Sequence, residues 1–240
     1  MSILITICAR GGSKGIPGKN MRNLARRPLI DYSIKIAKKF AQNHEGLISF
    51  STDSDDIKAL AVSCGLEINY TRPEYLASDS AGKVETIKDL LFFEEKKNAR
   101  SFQYILDLDV TSPLRTMKDL EAAFEIFLQQ EETLTLFSVN KAARNPYFNM
   151  VEKKENSFFN LVKPLEGTVL SRQSAPEVYD LNASFYFYRR AFFDMGKNGV
   201  ITDHSLIYEM PHICFDLDHP IDFEFMDYLI QHNKLDFQLT

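Results

Sequence analysis

The chain has 240 residues, 45% of them hydrophobic, and a formal net charge of −5. That length and apolar content suffice for one substantial core, and the mildly acidic balance argues against a nucleic-acid partner. No apolar run is long enough for a membrane span or forms a secretory core, and three scattered cysteines (Cys8, Cys64, Cys214) fit neither a disulfide framework nor a zinc site, so a cytoplasmic protein is expected.

In chain order, residues 3–8 form an apolar, β-branched run that predicts a buried strand. It leads into Ala9-Arg10-Gly11-Gly12-Ser13-Lys14-Gly15-Ile16-Pro17-Gly18-Lys19-Asn20. Four glycines let the backbone turn its N–H groups inward, and Arg10, Lys14 and Lys19 add cations around the same volume. A strand feeding such a loop predicts a polyphosphate receptor. The spacing is neither that of a P-loop, where Ser13 and Asn20 stand in the wrong places, nor that of a dinucleotide fingerprint. Charge is distributed accordingly. Residues 1–40 hold nine Lys or Arg against one acid, Asp31, while residues 201–240 hold eight acids against Lys234 alone. The basic end belongs to a local site, and the acidic end is either a solvated helix face or a holder of a divalent cation facing the phosphates.

Leu29, Ile30, Ser33, Ile34, Ala37 and Phe40 recur at helical spacing. A strand over 47–51 follows, then a helix opened by the capping and acidic run Thr52–Asp53–Ser54–Asp55–Asp56 and closed at Gly65. A short strand is expected at 67–70, ended by Arg72-Pro73. Next comes a helix over 83–97 with Val84, Ile87, Leu90, Leu91 and Phe93 turned inward. Residues 104–108 read as a strand, Thr116 caps a helix reaching Gln129, and 134–139 form another strand. Residues 140–180 break this rhythm. They mix Asn, Pro, Ser and charge with Tyr147, Phe148, Phe158 and Phe159, predicting an ordered arm that packs on something, with a partner subunit as candidate. Strands at 183–188 and 212–215 and a helix over about 220–233 complete the chain. The alternation predicts a single α/β domain over 1–240, with a mostly parallel sheet flanked by helices on both faces and ligands at the carboxyl ends of the strands.

Two Asp-x-Asp pairs, Asp107/Asp109 and Asp216/Asp218, could each offer carboxylates to one hard cation such as the magnesium that accompanies a nucleoside triphosphate. Acids also end strands for ordinary structural reasons. Arg72, Arg115 and Arg172 lie in loop-like sequence where a guanidinium suits phosphate or carboxylate, though a surface arginine needs no such role. His204, His212, His219 and His232 show no metal spacing and read as solvent-facing or capping residues. Cys8 and Cys214 read as buried core thiols.

Together these motifs make the chain resemble the acylneuraminate cytidylyltransferases over nearly its full length. The resemblance is carried by Arg10, Ser13, Lys14, Lys19 and Asn20, by Ser51-Thr52-Asp53, and by Arg72-Pro73-Glu74-Tyr75-Leu76-Ala77-Ser78-Asp79. Thr111-Ser112-Pro113-Leu114-Arg115, Arg172-Gln173, the stretch 182–186 and Asp216-x-Asp218 complete the order. It implies a nucleotide-diphospho-sugar-transferase-like fold and transfer of CMP from CTP to a nine-carbon 2-keto sugar acid, with release of pyrophosphate. It also implies magnesium dependence and a homodimer with an extended arm.

By the same resemblance Arg10 and Lys19 would cradle the phosphates with the amides around Gly11 and Gly12, and Ser13, Lys14, Asn20, Arg72 and Ala81 would contact the nucleotide. Asp216 and Asp218 would hold magnesium, Asp218 sharing in catalysis with Arg10 and Lys19. Asp109, Ser112, Arg172, Gln173, Asn182 and Tyr186 would face the sugar acid. One departure stands out: sialic acid members carry Gln-Pro where this chain has Asp109-Val110, so a sugar contact at Asp109 does not transfer directly. Asp107-Leu108-Asp109, Arg144-Asn145-Pro146-Tyr147-Phe148-Asn149 and Arg172-Gln173-Ser174-Ala175-Pro176 resemble the branch that activates legionaminic acid. The alternatives are a cytidylyltransferase for 3-deoxy-octulosonic or pseudaminic acid, and a nucleotide-binding protein without turnover.

Overall fold

Strand β1 (Ile3–Cys8) sends alternate side chains to opposite faces, so Ile3, Ile5 and Ile7 enter one apolar cluster and Leu4 the other. The same division recurs along the chain in a computed structural model that describes residues 1–12, 15–78, 80–165 and 172–239, apart from the Arg172 side chain. After β1 come the two-residue strands β2 (Asn23–Leu24) and β3 (Arg27–Pro28), then α1 (Leu29–His44), β4 (Leu47–Ser51) and α2 (Asp55–Ser63). Next are α3 (Lys83–Asn98), β5 (Tyr104–Leu108), α4 (Met117–Gln129) and β6 (Thr135–Lys141). A hairpin of β7 (Val151–Lys153) and β8 (Phe159–Leu161) precedes β9 (Tyr179–Arg189), α5 (Arg190–Asp194), β10 (Ser205–Glu209) and α6 (Pro220–Gln231).

Among the described residues six strands form one sheet in the order β10-β6-β9-β5-β1-β4. β1 runs parallel to β4 and β5, and β10 runs parallel to β6, while β9 lies antiparallel between β5 and β6. This is the mostly parallel sheet expected. Apolar side chains of α1, α4 and α6 pack on one face with Leu106, Leu108, Phe185 and Phe187, whereas α3 and α5 cover the other with Ile105, Tyr186 and Tyr188. The capping residues behave as their chemistry dictates. Ser54 accepts the Ile57 N–H, and Thr116 and Asp119 form a reciprocal capping box.

Two expected strands are not formed. Residues 67–70 run as irregular backbone beside β4, the sheet's edge, and are anchored instead by side chains: Tyr70 is buried and donates its hydroxyl to Asp89 at 2.5 Å. At the other edge the strand is 205–209, because this stretch pairs with β6, whereas 212–215 is a loop in which Cys214 is buried. Phe93 packs only partly, its ring 5.2 Å from Tyr70. The irregular 140–180 region is partly regular: the β7–β8 hairpin leaves Phe158 75% and Phe159 67% exposed.

Candidate active site

The carboxyl ends of β1 and β5 and the start of α3 border a cavity of about 380 Å³, lined among others by Arg10, Lys19, Asn20, Arg72, Lys83 and Asp218. Its first wall is the glycine-rich segment. At Gly15 an added Cβ would stand 2.3 Å from the Asp218 carbonyl oxygen, so only glycine lets this backbone approach the acidic loop. Gly18 has φ of +64° and turns the chain into the short helical turn Lys19–Met21. Lys19 then reaches the far end of the sequence, donating from Nζ to the Leu217 carbonyl at 2.5 Å. The basic and acidic ends of the chain thus meet in one place.

Asn20 is buried and donates its amide to the Arg10 carbonyl at 2.9 Å, while its Oδ1 has no partner among the described residues. A buried acceptor in a cleft wall calls for a ligand donor. Arg10 Nη1 donates to the Ser78 carbonyl at 3.3 Å. The Arg72 guanidinium is held by Ser51, through Nε to Oγ and Nη2 to the carbonyl oxygen, each at 2.9 Å. Ala81 lines the cleft just before α3. Gly11 differs from expectation: its N–H donates to Asp53 Oδ1 at 2.9 Å, so that amide closes the loop onto the chain. Gly12 is exposed with open space around it, and Ser13, Lys14 and the Arg172 side chain lie outside the described residues.

The two Asp-x-Asp pairs separate in character. Asp107 is fully buried and accepts the Thr6 hydroxyl at 2.8 Å. Asp109 Oδ1 accepts the Thr111 N–H and hydroxyl, each at 2.9 Å. Both carboxylates pair with Lys83, which sequence reasoning missed. The available signal was a lysine at the first position of a helix, where the dipole disfavours it. Burial alone would raise the Asp109 carboxyl, but the Lys83 ammonium and the Thr111 bonds outweigh it and hold it at about 2.

Asp216 and Asp218 lie in the loop before α6 rather than on a strand. Burial pushes the Asp216 carboxyl up, and the neighbouring Asp109 and Asp218 charges push it further. A hard divalent cation would relieve that repulsion, and two carboxylates with phosphate oxygens and water make a donor set suited to magnesium. No group of three metal-ligating side chains converges among the described residues.

Several expected substrate contacts sit elsewhere. Ser112 is fully buried and donates to the Phe215 carbonyl at 3.2 Å, so it does not face the cleft. Asn182 is buried in a β6–β9 network, donating to Asn140 Oδ1 and accepting from the Ser138 hydroxyl, both at 2.6 Å. Gln173 is exposed and lines a separate cavity of about 210 Å³ with Lys141, Asn145 and Glu177. Tyr186 is buried with its ring 4.4 Å from the Lys83 ammonium. Arg115 is a buried strut, and Cys8 is a half-buried cleft thiol pushed up to about 12 by burial and by Asp107. His219 caps α6 as expected, but His212 pairs with buried Asp119 at 3.0 Å.

Comparison with known proteins gives this geometry its context. The cytidylyltransferase family profile matches residues 4–238. A CMP-N,N'-diacetyllegionaminic acid synthase of Campylobacter jejuni subsp. jejuni serotype O:2 is 37% identical over 234 residues, covering 97% of each chain. Post-translational flagellin modification protein B of Campylobacter coli is also 37% identical, with 97% of each chain covered. Among solved structures, a CMP:2-keto-3-deoxy-manno-octonic acid synthetase complexed with CTP superposes with a TM-score of 0.69 at 14% identity, over 97% of this chain and 100% of that one.

Proposed function

The chain belongs to the cytidylyltransferase family and is a nucleotidyltransferase enzyme, and from that premise we propose that it transfers CMP from CTP to the anomeric hydroxyl of a nonulosonic acid, legionaminic acid in preference to sialic acid. The observation that carries the reading is the bond from Lys19 to the Leu217 carbonyl, which ties the glycine-rich segment's cation to the loop of Asp216 and Asp218 in a cleft lined by Arg10, Lys19 and Asp218. The 37% identity to a legionaminic acid synthase supports the sugar.

The chemistry asks for little bond activation and much charge management. The anomeric oxygen attacks the α-phosphorus, its proton leaves to solvent, and the bond from the α-phosphorus to the bridging oxygen breaks to release pyrophosphate. Arg10 and Lys19 bracket the triphosphate and stabilise negative charge as it gathers on the departing group. Asn20 Oδ1 accepts a hydrogen bond from the nucleotide, and Ala81 and Arg72 shape the wall against which it lies. Asp216 and Asp218 would hold magnesium, which supplies charge neutralisation on the phosphates. Alignment of the sugar hydroxyl with the α-phosphorus supplies the rest.

The exposed hairpin aromatics support a homodimer in which this arm packs on a second copy. The reaction would take place in the cytoplasm, where CTP is available; among the described residues no helix is long and apolar enough to cross a membrane. Pyrophosphate release with CTP, magnesium and, separately, legionaminic, sialic, pseudaminic and 3-deoxy-octulosonic acids tests the proposal. The highest kcat/KM is expected with legionaminic acid. A clear preference for sialic acid rejects the sugar assignment, and CTP binding without release on any sugar rejects the activity.

A further inference from the structure

Asp107 and Asp109 stand two residues apart at the end of β5, and their carboxylates converge on one atom. The Lys83 Nζ lies 2.9 Å from Asp107 Oδ2 and 2.7 Å from Asp109 Oδ2. The remaining oxygens are taken up by the protein, Asp107 Oδ1 by the Thr6 hydroxyl and Asp109 Oδ1 by Thr111. The Tyr186 ring, its centroid 4.4 Å from Nζ, closes another side. Two carboxylates at the end of one strand, oriented by neighbours and meeting at a point in a cleft wall, form the kind of arrangement that holds a hard cation. Here the cation is part of the chain. Helix energetics do not explain its position, because a lysine at the first residue of α3 faces the positive end of the helix dipole. The two acids explain it, since buried carboxylates require a compensating charge.

We propose that the Lys83 ammonium is a resident cation of the cleft, filling the place between Asp107 and Asp109 that a second divalent ion would otherwise take and leaving Asp216 and Asp218 as the single metal position. The inference rests on the cytidylyl-transfer reading for the role of that remaining position. It also accounts for the acid at position 109: the carboxylate is a ligand of Lys83, and Lys83 is a positioning residue that fixes Asp109 in the cleft wall.

Counting bound Mn²⁺ by electron paramagnetic resonance titration tests this without reference to turnover. Wild-type protein loaded with CTP should bind one Mn²⁺ per chain; two per chain overturn the proposal. Nucleotide-free Lys83→Met should gain one Mn²⁺ per chain over nucleotide-free wild type, and the gain should vanish in Lys83→Met/Asp107→Asn. An unchanged count in folded Lys83→Met overturns the proposal. Should Lys83→Met fail to fold, the wild-type count decides alone. The nucleotide-free comparison does not involve CTP, so its failure is distinguishable from failure of the functional reading, which the pyrophosphate assay reports.

Discussion

Replacing Arg115 with methionine should lower stability by about 2–4 kcal/mol, less than its number of hydrogen bonds suggests. Its Nη1 donates to the Ser112 carbonyl at 2.7 Å, the Ser184 carbonyl at 2.9 Å and the Ser184 hydroxyl at 3.2 Å, while Nη2 donates to the Ser33 hydroxyl at 2.5 Å and the Asp109 carbonyl at 3.0 Å. Each bond from a charged donor contributes about 1.5–3 kcal/mol in isolation, so simple addition would predict a protein that cannot fold without this side chain. Two features reduce the figure. Every carbonyl it serves keeps a second donor: Ser184 Oγ for Ser112, the Asp109 N–H for Ser184, and Ser33 Oγ for Asp109. The guanidinium also carries its own cost, because it is 1% exposed, its Nε has no partner, and burial pulls its proton affinity down to about 10.

For a domain of this size, about 2–4 °C of melting temperature follows each kcal/mol, so Arg115→Met should melt roughly 4–16 °C lower. Circular dichroism melts and urea titration of both proteins provide the measurement. A shift under about 2 °C would refute the reasoning, since it would mean that desolvation cancels the whole network.

Lys19→Ala should reduce kcat by roughly 10²- to 10³-fold, the usual cost of removing one donor aimed at developing charge, and a rate within about threefold of wild type in pyrophosphate release would remove Lys19 from that role. His212 should make stability pH-dependent. Burial opposes its protonation, yet the bond to Asp119 raises its affinity for protons above the ordinary value, while His212 and Thr116 hold the Asp119 carboxyl down against its burial. Stability from a raised histidine is present below its unfolded value of about 6.5 and is lost as pH climbs through the folded one, and stability from a lowered aspartate is lost in acid below its ordinary range. His212→Asn should therefore cost about 1–3 kcal/mol at pH 6 and less at pH 8.5 in urea unfolding, with equal costs at both values contradicting the pairing. Phe158→Asp/Phe159→Asp should convert a sedimenting dimer to monomer if the hairpin packs on a second copy, and a wild-type monomer would end that assignment.

What the sequence disclosed follows from the range of the forces involved. Alternation along β1, β5 and β9 assigns each residue to one of two cores because the pleat is a local rule, and the caps at Ser54 and Thr116 act within three residues. The glycine-rich loop was legible for a similar reason, since its backbone chemistry is contained in a dozen consecutive residues. Arg115 and Ser112 were read as surface or substrate groups because their burial is decided by Ser33, Ser184 and Phe215, at least sixty-nine residues away in the latter two cases and eighty-two in the first. The edge strand was misplaced because 205–209 and 212–215 both supply β-forming residues, and only pairing with β6 selects one.

The same distinction bears on how the cleft works. A glycine-rich loop advertises itself, but Lys83 carries no recognisable motif of its own, and its place exists only because the end of β5 delivers two carboxylates to the first turn of α3. Substituting Asp109 by glutamine while keeping Lys83 would leave one ammonium matched to one carboxylate, Asp107, whereas replacing Lys83 alone would leave two unbalanced acids. The loss of Lys83 is the costly change, and removing Asp109 along with it would still leave buried Asp107 without a cation. Lys83 therefore cannot be lost while Asp107 remains, so Asp109→Gln should be tolerated where Lys83→Met is not, and thermal melts that rank the two variants the other way would contradict this charge count.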